Sequence, residues 1–274
     1  MSRKLIFLDI DGTLTEAGSN VPPQSAQEAV RRAREKGNLV YLCTGRNMGM
    51  LKPVLEYGFD GVVALGGGYV QCGDEVIYDH PMTREQFETA MAVLEKNNVF
   101  RTIEAKDATY GDEHLGDFLK NTSGGNSEIE RWRKALSQSL GIRPISEYDG
   151  RDIYKIVIMC TSASQLEEPR ALLEKEFEFA IQDVAAHNCL NGDLVNRAFD
   201  KGKGVLRVCE HLGIPVEDTY GFGDSMNDLE MIETVATSVC MENGSEKLKE
   251  LSDIIAPSVT DDGLYKVFEQ LELF

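Results

Sequence analysis

Short apolar runs alternate with amphipathic helical patterns at both ends of the chain. Several of the runs are apolar on both faces, which is typical of strands in a parallel sheet. The predicted strands span residues 5–10, 39–43, 61–65, 220–222, 238–241 and 254–255. Helices are predicted between them at residues 25–36, 203–212 and 228–235, the first opening with a capping box from Ser25 to Glu28 and ending before Gly37.

The middle of the chain follows a different pattern. Helical periodicity at residues 84–97, 128–140 and 165–177 is interleaved with strand patterns at residues 100–104, 153–160 and 178–182. We therefore predict an α/β fold of two domains, in which residues 82–196 are inserted into a core made of residues 1–81 and 197–274. The acidic, glycine-containing stretch at residues 104–117 is predicted to be a solvated loop.

The charge balance narrows the choice of partners. The 274 residues include 28 Lys and Arg against 46 Asp and Glu, a formal charge of −18, which repels nucleic acids and anionic membranes. We expect neither as a partner, and the oligomeric state stays open. The six cysteines form no CxxC motif, and the sequence shows no signal-peptide pattern. The expectation is a reduced, cytoplasmic protein.

Polar residues follow the predicted core strands at the point where each strand ends. Ligands of open parallel sheets bind beyond the carboxyl ends of the strands, so these residues are candidates for a site. Three glycines, Gly66, Gly67 and Gly68, follow the third strand. The other residues at these ends are Asp9, Asp11, Thr44, Gly45, Arg46, Asp224, Asn227 and Asp228.

The carboxylates in this set indicate a metal site. Crowded carboxylates raise each other's pKa unless a cation lies among them, and an oxygen-rich set suits Mg²⁺ better than a soft metal. Lys201 stands just before a predicted helix. Such an ion, this lysine, a threonine hydroxyl and the N–H groups of Gly45 and Arg46 would together form a receptor for a phosphoryl group.

The stretch KLIFLDIDGTLT would supply the reacting groups. Asp9 stands at the end of its strand, which fixes its carboxylate for in-line attack on phosphorus. Period-two alternation places Asp11 on the same side, where it could move a proton. Gly12 permits a sharp turn after the two acids, and Thr13 can tie that turn with its hydroxyl group.

Four motifs stand in order along the chain: DIDGTL, the Thr44-Gly45-Arg46 strand end, Lys201-Gly202 and GFGDSMND. In that order they resemble the motifs of the haloacid dehalogenase (HAD) superfamily of phosphohydrolases. Thr44 follows Asp9 by 35 residues but precedes Lys201 by 157, so the insertion falls after the second motif, as in the Cof-type (class IIB) branch. The resemblance implies a Rossmann-like core and an inserted α/β (C2-type) cap that selects the leaving group.

Carried over residue by residue, the resemblance implies a phosphatase with Mg²⁺ as its cofactor. Asp9 would form an aspartyl-phosphate and bind the metal, and Asp11 would be the general acid/base with its backbone carbonyl on the metal. Asp224 would be the third metal ligand, and Asp228 would orient the metal's waters or the motif lysine. The residues expected to bind the phosphoryl group are Ile10, Thr44, Gly45, Lys201 and Asn227.

The sequence departs from the family pattern in two places. Relatives usually carry an Asn-Gly pair after the third strand, so a side-chain amide near the substrate is expected to be missing at Gly67. Relatives also tend to carry a Glu before the motif lysine, where the nearest acids here are Asp193 and Asp200. Both departures bear on which leaving group is accepted. Arg46 could meet the substrate at the mouth of the cleft.

Other interpretations stay open at this point. The leading one is a phosphatase acting on a small phosphorylated metabolite, such as a sugar phosphate. A phosphomutase or phosphotransferase of the same superfamily shares these motifs. A non-catalytic sensor of a phosphorylated ligand would be expected to lose Asp9 or Asp11, and both are present. Lys201 could be only a solvated lysine and Asp228 only a first-turn helix acid, and Trp132 is predicted to pack in the core of the cap.

Overall fold

The computed structural model describes residues 2–120, 141–181 and 189–274, which form two compact units. The first unit comprises Met1–Arg46, Leu51–Asp79 and Phe199–Phe274, and the second comprises Asn47–Met50 and His80–Ala198. Each unit contains its own sheet and its own apolar core. The domain bounds given above from the sequence stay a prediction.

Strands and helices alternate through most of the described chain. The strands are β1 (Leu5–Leu8), β2 (Leu39–Cys43), β3 (Gly61–Ala64), β4 (Tyr69–Cys72), β5 (Glu75–Asp79), β6 (Phe100–Ala105), β7 (Thr109–Gly111), β8 (Ile142–Pro144), β9 (Ile153–Cys160), β10 (Phe177–Ile181), β11 (Leu190–Asn196), β12 (Thr219–Gly223), β13 (Thr237–Met241) and β14 (Ile254–Ala256). The helices are α1 (Gln24–Glu35), α2 (Met48–Leu55), α3 (Arg84–Lys96), α4 (Leu115–Lys120), α5 (Glu167–Leu173), α6 (Lys201–Leu212), α7 (Leu229–Thr234), α8 (Glu246–Leu251) and α9 (Gly263–Gln270).

The sheet of the first unit has the strand order β14-β13-β12-β1-β2-β3-β4-β5. The strands from β14 to β3 are parallel, β4 is antiparallel to β3, and the edge strand β5 is antiparallel to β4. The chain progresses outward from β1 in one direction through β2 and β3, and in the other through β12, β13 and β14. The order therefore reverses between β1 and β12, and the crevice beyond the carboxyl ends at such a point is where ligands bind.

Apolar residues on both faces hold this sheet between layers of helices. All four residues of β1 are buried, and Leu5 and Phe7 pack in one cluster with Val205 and Val208 of α6. On another strand, the ring of Phe222 lies 5.2 Å from that of Phe268 in α9. Full burial of each such side chain contributes about 1.5–3 kcal/mol relative to exposure, so the strand ends are carried by a rigid framework.

The second unit is built on a sheet with the order β10-β11-β9-β6-β7-β8. Its strands pair antiparallel except for β7 with β8. Helix α3 opens with a capping box, in which Thr83 accepts from the N–H of Gln86 and the Gln86 side chain accepts from the N–H of Thr83. Leu94 of this helix packs in one cluster with Ile103 and Ile156 of the sheet.

The α/β class predicted from the sequence is confirmed, and two local predictions are wrong. The capping box at Ser25 does not form, because α1 begins one residue earlier, with Pro23 at its N-cap and no side-chain cap bond, and Glu28 binds Arg31 instead. Residues 104–117 are not simply a solvated loop, since Thr109–Gly111 is a buried strand paired with β6.

Some predictions fall outside the part of the chain that the structure describes. They are the helix at residues 128–140, the packing of Trp132 and the last residue of the strand at 178–182. Within the described ranges, no helix combines the length and the apolar character that crossing a membrane requires.

Candidate active site

Asp9 lies at the carboxyl end of β1, at the point where the strand order reverses. Its backbone N–H donates to the carbonyl of Phe222 over 2.9 Å, and its own carbonyl accepts from the N–H of Leu14. The first bond extends the pairing of β1 with β12 by one residue, and the second closes the turn that follows β1. The Asp9 side chain is buried, so a carboxylate is fixed at the sheet edge where a ligand would bind.

Lys201 joins the carboxylate of Asp9 to that of Asp228. It is the first residue of α6, and the Asp200 side chain caps this helix by accepting from the N–H of Lys203 over 2.7 Å. The Lys201 Nζ atom lies 2.7 Å from Asp9 Oδ1 and 2.5 Å from Asp228 Oδ1. A solvated lysine is therefore the wrong interpretation, because only 2% of the side chain is exposed.

Asp224 and Asp228 follow β12 on one short loop. The Asp228 Oδ2 atom accepts from the backbone N–H groups of Asp224 and Ser225, over 3.0 and 3.2 Å. The carboxylate of Asp224 lies against the backbone of Gly12, where a Cβ atom would come within 2.3 Å of Asp224 Oδ2. Residue 12 must lack a side chain so that the loop after β1 can approach this carboxylate.

The residues here suit a hard divalent cation. Carboxylate oxygens of Asp9, Asp224 and Asp228 lie within 4.8 Å of one another, and oxygen donors are the ligands of Mg²⁺. Asp224 Oδ1 is buried and accepts no hydrogen bond from any described residue, which leaves it available to a metal. Both oxygens of Asp228 are taken by Lys201 and by backbone N–H groups, so Asp9 and Asp224 are the side chains that could hold the ion.

Burial dominates the electrostatics of this cluster. It raises the pKa of Asp9 to about 7, and the charge of Asp228 adds to that rise while Lys201 opposes it. Burial and the charge of Asp9 together raise the pKa of Asp224 well above its usual value. Burial lowers the pKa of Lys201, but the charges of Asp228 and Asp9 outweigh it and the pKa stays well above its usual value. A cation bound among these carboxylates would offset the burial and mutual repulsion that raise their pKa values.

Asp11 turns its carboxylate toward Arg46 rather than into the acidic cluster. Arg46 Nε donates to Asp11 Oδ2 over 2.8 Å, and Arg46 Nη2 donates to Asp11 Oδ1 over 2.7 Å. The N–H of Gly18 also donates to Asp11 Oδ1, and Asn20 accepts from the Arg46 Nη1 atom. Both side chains are almost fully buried, so the guanidinium group binds the predicted acid/base and is not at an exposed cleft mouth.

The remaining predicted phosphate-binding residues line the same edge. Thr44 continues β2 by donating its N–H to the carbonyl of Val63, and its hydroxyl accepts from the N–H of Arg46. The amide oxygen of Asn227 lies 3.4 Å from Lys201 Nζ. Gly45 follows Thr44 directly, and Ile10 follows Asp9. Their contact with a phosphoryl group stays a prediction.

The turn after β1 is tied by a residue other than the predicted one. The hydroxyl of Thr15 donates to the carbonyl of Ile10, and the N–H of Thr15 donates to the same carbonyl over 2.9 Å. The hydroxyl of Thr13 is buried and has no hydrogen-bond partner among the described residues. This oxygen is therefore available to a ligand rather than to the turn.

The structure also corrects which glycine after β3 could carry a side chain. At Gly67, a Cβ atom would lie 2.1 Å from the carbonyl oxygen of Asp200, so no amide can stand there. At Gly66, a Cβ atom would meet no described heavy atom within 4 Å. Sequence reasoning also missed Asn243, which donates to the carbonyl of Gly12 over 2.7 Å. No motif marks Asn243, because only the fold brings the residues after β13 beside the loop after β1.

Comparisons with known proteins show which family the chain belongs to. Residues 6–268 match the family model of the haloacid dehalogenase-like hydrolases. The 5-amino-6-(5-phospho-D-ribitylamino)uracil phosphatase YwtE of Bacillus subtilis is 27% identical, over 98% of both chains. The pyridoxal phosphate phosphatase YbhA of Escherichia coli is 23% identical, over 96% of this chain and 97% of its own length.

A solved structure shows the same fold. The structure of the HAD subclass IIB sugar phosphatase BT4131 superposes with a TM-score of 0.79 at 23% identity, over 99% of this chain and 100% of the other. The family match spans nearly the whole sequence and includes all the residues described at the sheet edge. The chain therefore belongs to the haloacid dehalogenase-like hydrolase family, within its Cof-type branch of phosphatases.

Proposed function

We propose that the protein is a Mg²⁺-dependent phosphatase that hydrolyses a small phosphorylated metabolite through an aspartyl-phosphate on Asp9. The observation that carries the proposal is the placement of the Asp9 carboxylate. One oxygen lies 2.7 Å from Lys201 Nζ, and the side chain lies beside Asp224, which has a buried oxygen without a described partner. A nucleophile, a fixed cation and an available metal ligand thus meet at one strand end.

Asp9 and Lys201 would carry the first step. A carboxylate oxygen of Asp9 forms a bond to phosphorus while the bond from phosphorus to the alcohol oxygen breaks. Lys201 lies on the Asp9 carboxylate and would neutralise charge that develops on the phosphoryl oxygens. Mg²⁺, when bound by Asp9 and Asp224, would supply charge stabilisation and align the phosphoryl group.

Asp11 would handle the proton in both steps. The leaving alcohol oxygen must take up a proton in the first step, and the attacking water must lose one in the second. Both oxygens of Asp11 accept hydrogen bonds from Arg46, and the carboxylate form of Asp11 is the one that would accept the proton from water. To donate a proton to the leaving alcohol oxygen in the first step, Asp11 must itself be protonated.

The names of two relatives support the substrate class. YwtE is named for a phosphorylated ribitylaminouracil and YbhA for pyridoxal phosphate, both of which are small phosphomonoesters. We therefore propose a small phosphorylated metabolite as the substrate here, a sugar phosphate being one member of that class. The acidic net charge of the chain fits a small ligand held by a local cation better than a polyanion.

The test is phosphate release from an aryl phosphate, measured with Mg²⁺, with EDTA and in the variant Asp9→Asn. We expect metal-dependent release that the Asp9 variant abolishes. Asp218→Asn is the matched control, because Asp218 is a carboxylate of the same unit that pairs with Lys4 at the opposite end of the strands. After an acid quench, mass spectrometry should find a phosphoryl group on the peptide that contains Asp9.

Two outcomes would contradict the proposal. Near-normal release in the Asp9→Asn variant would exclude Asp9 as the nucleophile. Conversion of a sugar phosphate into an isomer without free phosphate would instead identify a phosphomutase, which shares the same first step.

A further inference from the structure

The loop after β13, residues 242–245, reaches across the end of β12 to the loop after β1. Strand β13 lies two strands away from β1 in the sheet. The N–H of Glu242 donates to the carbonyl of Ala256 in β14 over 2.7 Å. At its other end, Ser245 caps α8 by accepting from the N–H of Leu248. This β13 loop is therefore anchored at both ends by β14 and α8.

The β13 loop holds Asp224 by its backbone. The N–H of Ser245 donates to the carbonyl of Asp224 over 2.8 Å, and the N–H of Asp224 donates to Asp228 Oδ2. A Cβ atom on Gly244 would lie 2.7 Å from the Asp224 carbonyl oxygen, so the loop and this backbone are in close contact. The backbone of Asp224 is thus fixed, and the direction of its carboxylate depends on what the side chain packs against.

Asn243 of the same loop holds the residue that the Asp224 carboxylate packs against. The Asn243 Nδ2 atom donates to the carbonyl of Gly12 over 2.7 Å, and the N–H of Gly12 donates to the carbonyl of Thr15 over 2.8 Å. Gly12 is buried, whereas Asn243 is exposed. Because a Cβ atom on Gly12 would come within 2.3 Å of Asp224 Oδ2, the backbone of Gly12 forms a wall beside this oxygen.

These contacts form a closed ring through Gly12, Asp224, Ser245 and Asn243. Asp224 Oδ1, the oxygen that could bind a metal, has no hydrogen-bond partner among the described residues. Its direction is therefore set by the contact of the other oxygen with Gly12. Without the bond from Asn243, the loop after β1 can move away from this carboxylate, and the carboxylate gains other orientations. A metal ligand binds less tightly when its neighbours no longer fix its orientation.

We propose that Asn243 is a positioning residue for the metal site, because it holds the loop after β1 against Asp224 and so fixes the direction in which Asp224 binds Mg²⁺. This inference rests on the proposed function, of which Mg²⁺ bound by Asp9 and Asp224 is a part. Asn243 acts through the carbonyl of Gly12 and does not itself bind the metal or the phosphoryl group.

The experiment compares Asn243→Ala with Asn38→Ala. Asn38 is the matched control, because its Nδ2 atom also donates over 2.7 Å to a backbone carbonyl that is remote in sequence, that of Leu273. It precedes β2 and therefore lies at the opposite end of the parallel strands. Asn38 is buried, so its replacement should destabilise the fold at least as much as that of Asn243. An effect of lost stability alone would therefore appear in the control.

The Mg²⁺ dissociation constant is measured by calorimetry at fixed ionic strength, and urea-induced unfolding is measured without metal. We expect Asn243→Ala to raise the dissociation constant by about 10-fold or more, the scale on which partners of metal ligands act. Asn38→Ala should leave it unchanged, and Asp224→Asn should abolish binding at this site. Phosphate release by Asn243→Ala should require correspondingly more Mg²⁺ and should recover at saturating Mg²⁺.

A second variant, Asn243→Asp, separates the hydrogen bond from the size of the side chain. An ionised Asp is nearly the same size but cannot donate to the carbonyl of Gly12. Its negative charge alone would strengthen the binding of a cation, whereas loss of the hydrogen bond should weaken it. We expect weaker Mg²⁺ binding than in the unaltered chain.

An unchanged dissociation constant in Asn243→Ala, an equal change in Asn38→Ala, or equal or tighter binding in Asn243→Asp would overturn the inference. The proposed function is judged separately by phosphate release. If Mg²⁺ binding weakens as expected in both Asn243 variants but the unaltered chain releases no phosphate, the phosphatase proposal fails and the role of Asn243 stands. Absence of Mg²⁺ binding by the unaltered chain would overturn both.

Discussion

Arg46 and Asp11 form a buried ion pair at the carboxyl end of the parallel strands. The guanidinium group donates to both carboxylate oxygens and also to the carbonyl of Ser19 and the side chain of Asn20. A paired charge in such a place is tolerated, but a lone one is costly, because the remaining group cannot regain its hydration. The pair therefore fixes the direction of the Asp11 side chain and makes Arg46 a positioning residue for it.

Replacing Arg46 by Ala should lower the free energy of unfolding by about 3–5 kcal/mol, since it leaves the Asp11 carboxylate buried without its partner. The matched control is Arg34→Ala. Arg34 also donates to both oxygens of one carboxylate, that of Asp60, but 39% of its side chain is exposed. An exposed pair contributes about 0–1 kcal/mol. Urea-induced unfolding measures both variants, and equal losses would contradict the assigned role of burial.

The sequence predicts those residues of the site that directly follow a core strand. Asp9 and Asp224 follow apolar runs, and the parallel sheet brings such ends together, so their proximity could be anticipated. The pairing of Arg46 with Asp11 could not be anticipated from the sequence. The two residues are 35 positions apart, and their contact depends on side-chain rotamers that no sequence spacing specifies. Gly67 was misjudged for the same reason, since its neighbour Asp200 is remote in sequence.

At the scale of elements, the glycine turn and the start of α6 depend on each other. The Gly67 backbone contacts the peptide of Asp200, the residue that caps α6 and precedes Lys201. A side chain at position 67 would push this peptide away and move the lysine from Asp9. The close approach therefore links the glycine turn to the position of the Lys201 ammonium group, which lies on Asp9.

Gly67→Ala should lower both stability and kcat. Overpacking of this kind costs about 1–3 kcal/mol, and misplacement of a catalytic group by about 1 Å can cost on the order of 100-fold in rate. Gly37→Ala is the control, because Gly37 has φ = 97° against 102° for Gly67 but no described heavy atom near its Cβ position. Phosphate release and urea-induced unfolding measure the two effects. Normal kcat in Gly67→Ala would show that α6 is positioned by other contacts.

The capping-box patterns at Ser25 and Thr83 offer a direct comparison of sequence pattern with structure. Thr83→Ala should destabilise α3 by about 1 kcal/mol, because the Thr83 hydroxyl accepts from the N–H of Gln86. Ser25→Ala should change stability by less than about 0.5 kcal/mol, since α1 has no side-chain cap bond. Hydrogen exchange of the first-turn amides of each helix measures the difference. Faster exchange in both variants would show that Ser25 does cap α1.

The contrast between these helices shows what local sequence can decide. Both stretches contain the required spacing of a hydroxyl and a Glu or Gln. At α1 the chain enters the helix one residue earlier through Pro23, and Arg31 captures the acid, so tertiary position and a competing ion pair override the pattern. The strand at Thr109–Gly111 was missed in the same way, because pairing with β6 buries a segment whose composition is typical of a loop.

At the scale of the whole molecule, the change of pattern in the middle of the chain and the 157 residues between the motif residues Thr44 and Lys201 together predict an insertion. The described chain contains two sheets, one in each compact unit, and the predicted bounds of the insertion stay a prediction. The strands β4 and β5 were not predicted, because both are short and β5, at the border of the sheet, has only exposed and half-buried residues. The predicted position of the site, at the carboxyl ends of the parallel strands, did not depend on β4 and β5.

A bound metal should couple the stability of the whole molecule to pH. Burial raises the pKa of Asp9 to about 7 from its ordinary value of 3.8. In the absence of metal this group stabilises the fold most at low pH, and that contribution is lost as the pH rises from about 4 through about 7. A metal binds the ionised carboxylates of Asp9 and Asp224, so protons compete with it below that range. Its stabilising effect should therefore grow with pH.

We expect Mg²⁺ to raise the free energy of unfolding by about 2.7 kcal/mol at 100 times its dissociation constant. At about pH 6 the increment should be smaller by about 1.4 kcal/mol, the value of one pKa unit. Thermal unfolding at about pH 6 and about pH 8 measures this increment. NaCl at matched ionic strength is the control, because the net charge of −18 attracts any cation. Asp224→Asn should remove the increment and Asp218→Asn should retain it. Equal increments at both pH values, or an increment that survives in Asp224→Asn, would place the metal away from Asp9 and Asp224.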